Sequence, residues 1–217
     1  MDFPQLMADC AANVSVLTMS AVVEQESRFN PYAIGINGDY ILDRQPTSKA
    51  EAIEVIGWLE KEGQNNLDLG IAQISTENRK KFKLSVSDSL DPCLNIKVGA
   101  EILTDNYHRA LNSGLNQQDA LQAAISEYNT GSRTAGYSNG YVQKVLDNAQ
   151  QSTVVVPDLI ANSLPTNTQS IIQPVVSSPE KDMPEENVYS SSHYEKENIY
   201  FHNLNTYKEE DIFIYSK

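Results

Sequence analysis

No stretch of this 217-residue chain approaches the roughly 18 uninterrupted apolar residues of a membrane-spanning helix. Basic residues are scarce, with 16 Lys and Arg against 29 Asp and Glu and a net charge of −13. With no long basic cluster, the chain is poorly suited to nucleic acid or to an anionic membrane surface. The three histidines, His108, His193 and His202, are too scattered to form a metal site. Neither a Ser-His-Asp set nor a phosphate-binding glycine loop is apparent, and no cofactor is expected. The opening Met1-Asp2-Phe3-Pro4 lacks the basic start and apolar core of a secretory leader. That leaves the export route open. Cysteine is limited to Cys10 and Cys93, which are far apart and not in a C-x-x-C spacing. They are either free buried thiols or one disulfide. A disulfide would close a long loop, stabilise by roughly 4 kcal/mol, and imply an oxidising compartment.

What is present changes character near residue 150. Residues 151–217 hold Pro157, Pro165, Pro174, Pro179 and Pro184 among Ser and Asn runs, and read as an acidic, largely disordered tail. Toward its end, Glu186-Asn187-Val188-Tyr189 and Glu197-Asn198-Ile199-Tyr200 repeat one pattern. That pattern reads as either a tyrosine-containing linear motif or plain acidic low complexity.

Residues 1–150 read as one helical domain. The first helix runs from about Val14 to Arg28, with Val14, Leu17, Ala21 and Val22 on one face and Asn13 or Ser15 as cap. The second opens at Ser48 with Glu51 three positions on, carries Ile53, Ile56 and Leu59 or Trp58, and stops at Gly63. The third begins at Asp91-Pro92, carries Ile96, Gly99, Leu103, Tyr107 and Ala110, and ends at Gly114. The fourth spans about Gln117 to Tyr128, and the fifth about Tyr141 to Gln150. Asn37-Gly38 is a turn signal, so a small β-hairpin is expected around Gly38–Leu42.

Three segments carry chemistry: Glu26-Ser27-Arg28-Phe29-Asn30-Pro31, Asp68-Leu69-Gly70-Ile71-Ala72-Gln73-Ile74, and Glu127-Tyr128-Asn129-Thr130-Gly131. Each is weak alone. In this order, and followed by Tyr141-Val142-x-x-Val145, they resemble the lytic transglycosylases of the soluble-transglycosylase, lysozyme-like superfamily. The resemblance covers about residues 10–150. The long insert between the first two segments, and Asp91-Pro92-Cys93, are similar to the subgroup serving type IV secretion systems. The resemblance implies a mainly α, lysozyme-like fold and a periplasmic enzyme. Its implied partners are peptidoglycan glycan strands and type IV secretion envelope components. In that subgroup a C-terminal piece is sometimes cleaved off, and residues after about 150 are the candidate.

The resemblance also assigns roles. Glu26 would be the catalytic acid. Protonating a glycosidic oxygen near neutral pH requires a glutamic acid with a raised pKa. The unpaired carbonyls at a helix C-terminus disfavour a carboxylate there. A single glutamate would act first as acid and then as base, drawing the proton from the C6 hydroxyl of the muramic sugar as it attacks C1. Hydrolysis by a muramidase, or a peptidoglycan-binding assembly role with dispensable catalysis, are the alternatives. Asp39, Asp43, Asp68 and Glu127 are the acids available to support hydrolysis, with Asp39 and Asp43 expected at the surface.

Gly70 would let backbone approach the sugar, beside Ile71, and Gln73 would bind acetamido or hydroxyl groups. Ala72 stands where the family usually has methionine, which would reduce an apolar cleft wall. Tyr128 would donate to Glu26 or pack in the core. Asn129 would orient substrate or cap its helix. Ser27 would bond substrate or its own preceding turn. Tyr141 would line the cleft or simply pack. A charge at Glu127 is expected to point outward.

Overall fold

The computed structural model describes residues 2–38 and 40–151, with the backbone of two short strands at 198–199 and 214–216. The disorder expected of the tail, the roles of its repeated tyrosine motifs, and the surface role expected of Asp39 lie outside the described residues.

The elements are α1 (Phe3–Cys10), α2 (Val16–Ser27), β1 (Ile34–Ile36), β2 (Tyr40–Leu42), α3 (Lys49–Lys61), β3 (Leu67–Leu69) and β4 (Ile74–Ser75). Then come α4 (Thr76–Lys81), α5 (Val86–Ser89), α6 (Pro92–Asn112), α7 (Gln117–Thr130), α8 (Ala135–Ser138), α9 (Tyr141–Gln151), β5 (Asn198–Ile199) and β6 (Ile214–Ser216). This is the mainly α, lysozyme-like architecture that the motif order implies, with a small antiparallel sheet.

The helix starts follow from their caps. Ser15 accepts from the Thr18 amide at 3.1 Å, fixing the start of α2. Asn13 instead donates to Thr104 across the domain at 2.9 Å. Ser48 accepts from Glu51 N at 3.2 Å, but the Glu51 carboxylate reaches back past it to Thr47 N, at 2.7 Å. Asp91 accepts from Leu94 N at 2.8 Å, and Pro92 opens α6, where no amide is needed.

Two expected core positions are wrong. Leu17 is 43 % exposed and Ile53 is 42 % exposed. The buried part of α2 is instead the continuous run Met19–Val23, because α2 is enclosed on several sides rather than along one stripe.

The Asn37-Gly38 turn separates two strands as expected, but they do not pair with each other. β1 runs antiparallel to β3, which pairs with β4, whereas β2 pairs with β6 and β6 with β5. Of the apolar clusters among the described residues, three position the site. One, including Met19, Val23, Ile71 and Ile96, joins α1, α2 and α6. A second, including Ile34, Leu59, Leu67 and Leu69, seats α3 on the sheet. The third, including Val22, Leu103, Ile125 and Val145, binds α2, α6, α7 and α9. Helix α2 belongs to the first and third, so its C-terminal end emerges where they meet. Cys10 and Cys93 form a disulfide joining the end of α1 to the start of α6.

Candidate active site

Glu26 is the penultimate residue of α2. The helix ends at Arg28, whose backbone is left-handed (φ 52°), and Phe29 is left-handed too (φ 63°). Neither is glycine, so two strained residues follow the acid directly. Asn30 then pins the exit. It accepts from Tyr32 N at 2.9 Å and donates to Pro46 O at 3.0 Å.

The Glu26 carboxyl lies in a cleft whose floor pocket measures about 80 Å³ and which Asp68, Gln73, Ser75, Tyr128 and Asn129 also line. That volume holds part of one sugar, so a longer strand would extend over the rim. A larger cavity of about 370 Å³ lies elsewhere, between Val14, Leu103, Tyr107 and Leu121, and no acid lines it. Chemistry therefore selects the smaller one.

The pKa of Glu26 is raised from 4.5 to about 7. Loss of water is the largest cause, the hydrogen bond from Tyr141 opposes it, and the negative charge of Asp68 adds to the rise. The cleft thus keeps a proton on Glu26 near neutral pH. The Tyr141 hydroxyl donates to Glu26 Oε1. Burial, then the adjacent Glu26, hold the Tyr141 hydroxyl far above its usual pKa, so it stays a donor.

Tyr128 is placed differently from the expectation that it donates to Glu26. Its hydroxyl donates to Ala72 O at 2.7 Å, while the residue still lines the cleft. Room for this comes from Gly99 on α6, where a Cβ would stand 2.9 Å from the Tyr128 hydroxyl and 3.0 Å from Ala72 Cβ. Ala72 is fully buried against α6, so its side chain is not part of the cleft wall.

Ser27 bonds its own preceding turn, as one of its two expected roles has it: its hydroxyl donates to Val23 O at 3.3 Å. It also donates to Ile71 O at 2.7 Å, tying the β3–β4 turn to α2. Ile71 is fully buried. Gly70 has φ +84°, and a Cβ there would stand 2.2 Å from Ser89 O and 2.4 Å from Asn95 Nδ2. Its glycine is required by this inner packing.

Gln73 has φ 48° and donates through Nε2 to Ala33 O and Gly70 O, at 3.1 and 2.9 Å. Asn129 is exposed at the rim and accepts from Asn139 at 3.1 Å. Glu127 turns away from the acid and pairs with Arg109 and Arg133, at 2.9 and 3.4 Å. The structure therefore brings Glu26, Gln73, Tyr128, Asn129 and Tyr141 to one place. Ser27, Gly70 and Ile71 serve as its frame.

Sequence reasoning passed over Asn95. It is fully buried, accepts from Ala72 N at 2.7 Å, and donates to Leu69 O and Ser89 O, both at 2.8 Å. One side chain thus satisfies three backbone groups and fixes the turn that carries Gln73. The available signal is a polar residue on the apolar face of α6, beside Ile96 and Gly99.

The profile of the transglycosylase SLT domain matches residues 4–151, a span that contains every residue of this cleft. The chain belongs to the SLT transglycosylase family. Its SLT domain makes it a lytic transglycosylase. The chain is 44 % identical over 164 residues to the type IV secretion system protein virB1 of Brucella abortus biovar 1 (strain 9-941), covering 71 % of this chain and 68 % of that protein. It is 35 % identical over 163 residues to protein virB1 of Agrobacterium fabrum (strain C58 / ATCC 33970), covering 74 % of this chain and 63 % of that relative. No solved structure matches it.

Within the SLT domain, the Tyr141 contact has a measurable consequence. The hydrogen bond lowers the pKa of Glu26, so Tyr141→Phe is expected to raise it further. A general acid works while protonated, and activity falls as pH rises through its pKa. The basic limb of the pH–rate profile should therefore move to higher pH. The rate at pH 5 should fall by about 3- to 10-fold, the worth of one orienting hydrogen bond. Turbidity clearing of purified cell walls across pH 4–9 checks both. An unmoved limb would show that the Tyr141 hydroxyl does not tune the acid.

Proposed function

We propose that this lytic transglycosylase cleaves the β-1,4 bond between N-acetylmuramic acid and N-acetylglucosamine, with Glu26 as acid and then base. The observation that carries the reading is one desolvated glutamic acid, protonated near neutrality and oriented by Tyr141, at the floor of a cleft. Protonation of the glycosidic oxygen by Glu26 leaves positive charge at C1 of the muramic sugar. The C6 hydroxyl of the same sugar attacks C1, and its proton passes to the Glu26 carboxylate. The product is a 1,6-anhydro-muramic end. Such an internal nucleophile exploits a high effective molarity that free water lacks.

The setting we infer is the periplasm, where the enzyme opens the wall locally for a type IV secretion system. Likeness to the virB1 proteins supports the secretion role. The Cys10–Cys93 disulfide supports an oxidising compartment. Among the described residues, no helix is long and apolar enough to cross a membrane. The tail after about residue 150 is read as a separate acidic segment.

Hydrolysis is the second reading, because Asp68 places another carboxylate in the cleft. Mass spectrometry of the muropeptides released from purified peptidoglycan separates the two. Anhydro-muramic ends are expected. Reducing muramic ends alone would overturn the lyase outcome and establish a muramidase.

A further inference from the structure

We propose that the lysine run closing α4 is a docking surface for the anionic peptide stem of the muramic sugar, so that the enzyme reads the peptide as well as the glycan. The proposal rests on the peptidoglycan-cleaving reading of Glu26.

The chain carries only 16 basic residues, yet Arg79, Lys80, Lys81 and Lys83 fall within one five-residue stretch. No other stretch of that length holds more than one. Arg79 is buried, whereas Lys80, Lys81 and Lys83 are exposed. Lys83 is left-handed (φ 57°), and its amide bonds back to Lys80 O at 3.2 Å, which folds it against the end of α4. The end of a helix carries about half an elementary charge, so one cation suffices to offset it. The run has more than the helix needs.

It also adjoins the cleft. Asn78 lines the pocket floor with Glu26, and Lys81 follows Asn78 by three positions on the same face of α4. From α6, Ile102 lines the same pocket, and Asp105 follows it by three. Lys81 Nζ stands 3.8 Å from Asp105 Oδ2, with the two side chains 60 % and 52 % exposed. So open a pair contributes little and yields to a better partner. Lys80 and Lys83 make no ion pair among the described residues. Glu77, the other acid of α4, lies in its first turn.

The substrate supplies the matching anion. The floor pocket of about 80 Å³ holds part of one sugar, so the rest of the strand lies over the rim. A muramic sugar differs from a plain N-acetylhexosamine by its lactyl ether and the peptide attached there, whose free carboxylates make it anionic. A protein of net charge −13 repels such a stem except where cations gather. The end of α4 is that place. Lysine ammonium groups on flexible side chains adapt to carboxylates in several positions, as a mobile peptide requires. The same run is too short to hold so acidic a chain on an anionic membrane. Docking remote from the reacting atoms strengthens ground state and transition state alike, so its effect falls on KM rather than kcat.

The test uses the full chain with Lys80→Gln, Lys81→Gln and Lys83→Gln combined. It is assayed on glycan strands that carry stems and on strands stripped of them by an amidase. Wild type should prefer stem-bearing strands by about 3- to 10-fold in kcat/KM, through KM, the worth of a few exposed charge pairs. That preference should shrink as salt rises from about 20 to about 300 mM. In the triple variant it should fall to about 1. An unchanged preference would overturn the inference. So would an equal loss on both strands, which marks general damage to the cleft. Should the triple variant fail to fold, Lys81→Gln alone is expected to cut the preference by about 2-fold, and no cut overturns the inference. Phosphatidylglycerol vesicles are the second probe. Vesicle binding by wild type and not by the variant, beside an unchanged preference, would give the run to a membrane and overturn the inference. An inactive Glu26→Gln beside an unchanged preference in the triple variant would sink only the docking surface. A fully active Glu26→Gln would sink the reading beneath it.

Discussion

Glu26→Gln is expected to lower glycan cleavage by roughly 10²- to 10⁴-fold, the usual contribution of a general acid. Glutamine fills the same space and still accepts from the Tyr141 hydroxyl, but it has no proton to give a leaving oxygen. The same change should stabilise the fold above neutral pH. In the wild-type protein the carboxyl has a folded pKa of about 7 against 4.5 when unperturbed. Folding therefore favours the protonated acid, and stability is lost as pH rises from about 4.5 through about 7. The neutral amide escapes that loss. The variant should exceed wild type by about 3 kcal/mol at pH 8, with the difference vanishing below pH 4.5. Cell-wall digestion and denaturant melts at pH 4 and pH 8 provide the two measurements. Wild-type digestion by the variant would remove Glu26 from the chemistry. Loss of activity with no gain at pH 8 would leave Glu26 essential but not desolvated.

Removing the Cys10–Cys93 disulfide should produce the largest change in stability. The two cysteines are 83 positions apart. Closing so long a loop restricts the unfolded chain by about 4–5 kcal/mol in the chain-entropy account. For a domain of this size, that corresponds to roughly 8–20 °C in Tm. The double variant Cys10→Ser/Cys93→Ser should melt lower by that amount, and reductant should bring wild type down to meet it while leaving the variant unmoved. The bond joins α1 to α6, and Cys93 stands only two positions before Asn95, which fixes the turn carrying Gln73. Activity should nevertheless persist below the lowered Tm, because Asn95 keeps its own hydrogen bonds. A reduced wild type that melts at the oxidised temperature would show that α1 is held by packing alone.

The long helices were legible because their starts are written in the chain: Ser15, Ser48 and Asp91 each cap where expected. Helix α1 was not, being only eight residues long, and strands of two or three residues are too short to show a period. The buried face of α2 was misassigned because a helix wrapped on several sides loses the one-sided pattern that locates a stripe. In the site, the order of the three motifs singles out Glu26, and its place at a helix end only adds physical support. The division of labour between Tyr128 and Tyr141 was not, because it depends on the space that Gly99 leaves on a different helix. Their place in the motifs alone groups Ser27, Gly70 and Ile71 with the substrate residues. Their contacts show that a motif also records what holds a site together. Asp68 was visible as one of four acids, and only the pairing of β3 with β1 and β4 distinguishes it from the others.

The bond from Tyr141 to Glu26 spans 115 positions of chain. During synthesis the acid therefore emerges long before the residue that orients it, and the cleft stays incomplete until α9 has docked on α2. Translation intermediates and fragments cut before residue 141 would carry the acid without its completed setting. For a lytic transglycosylase, the orientation of that carboxyl is thus completed only by the last helix of the domain.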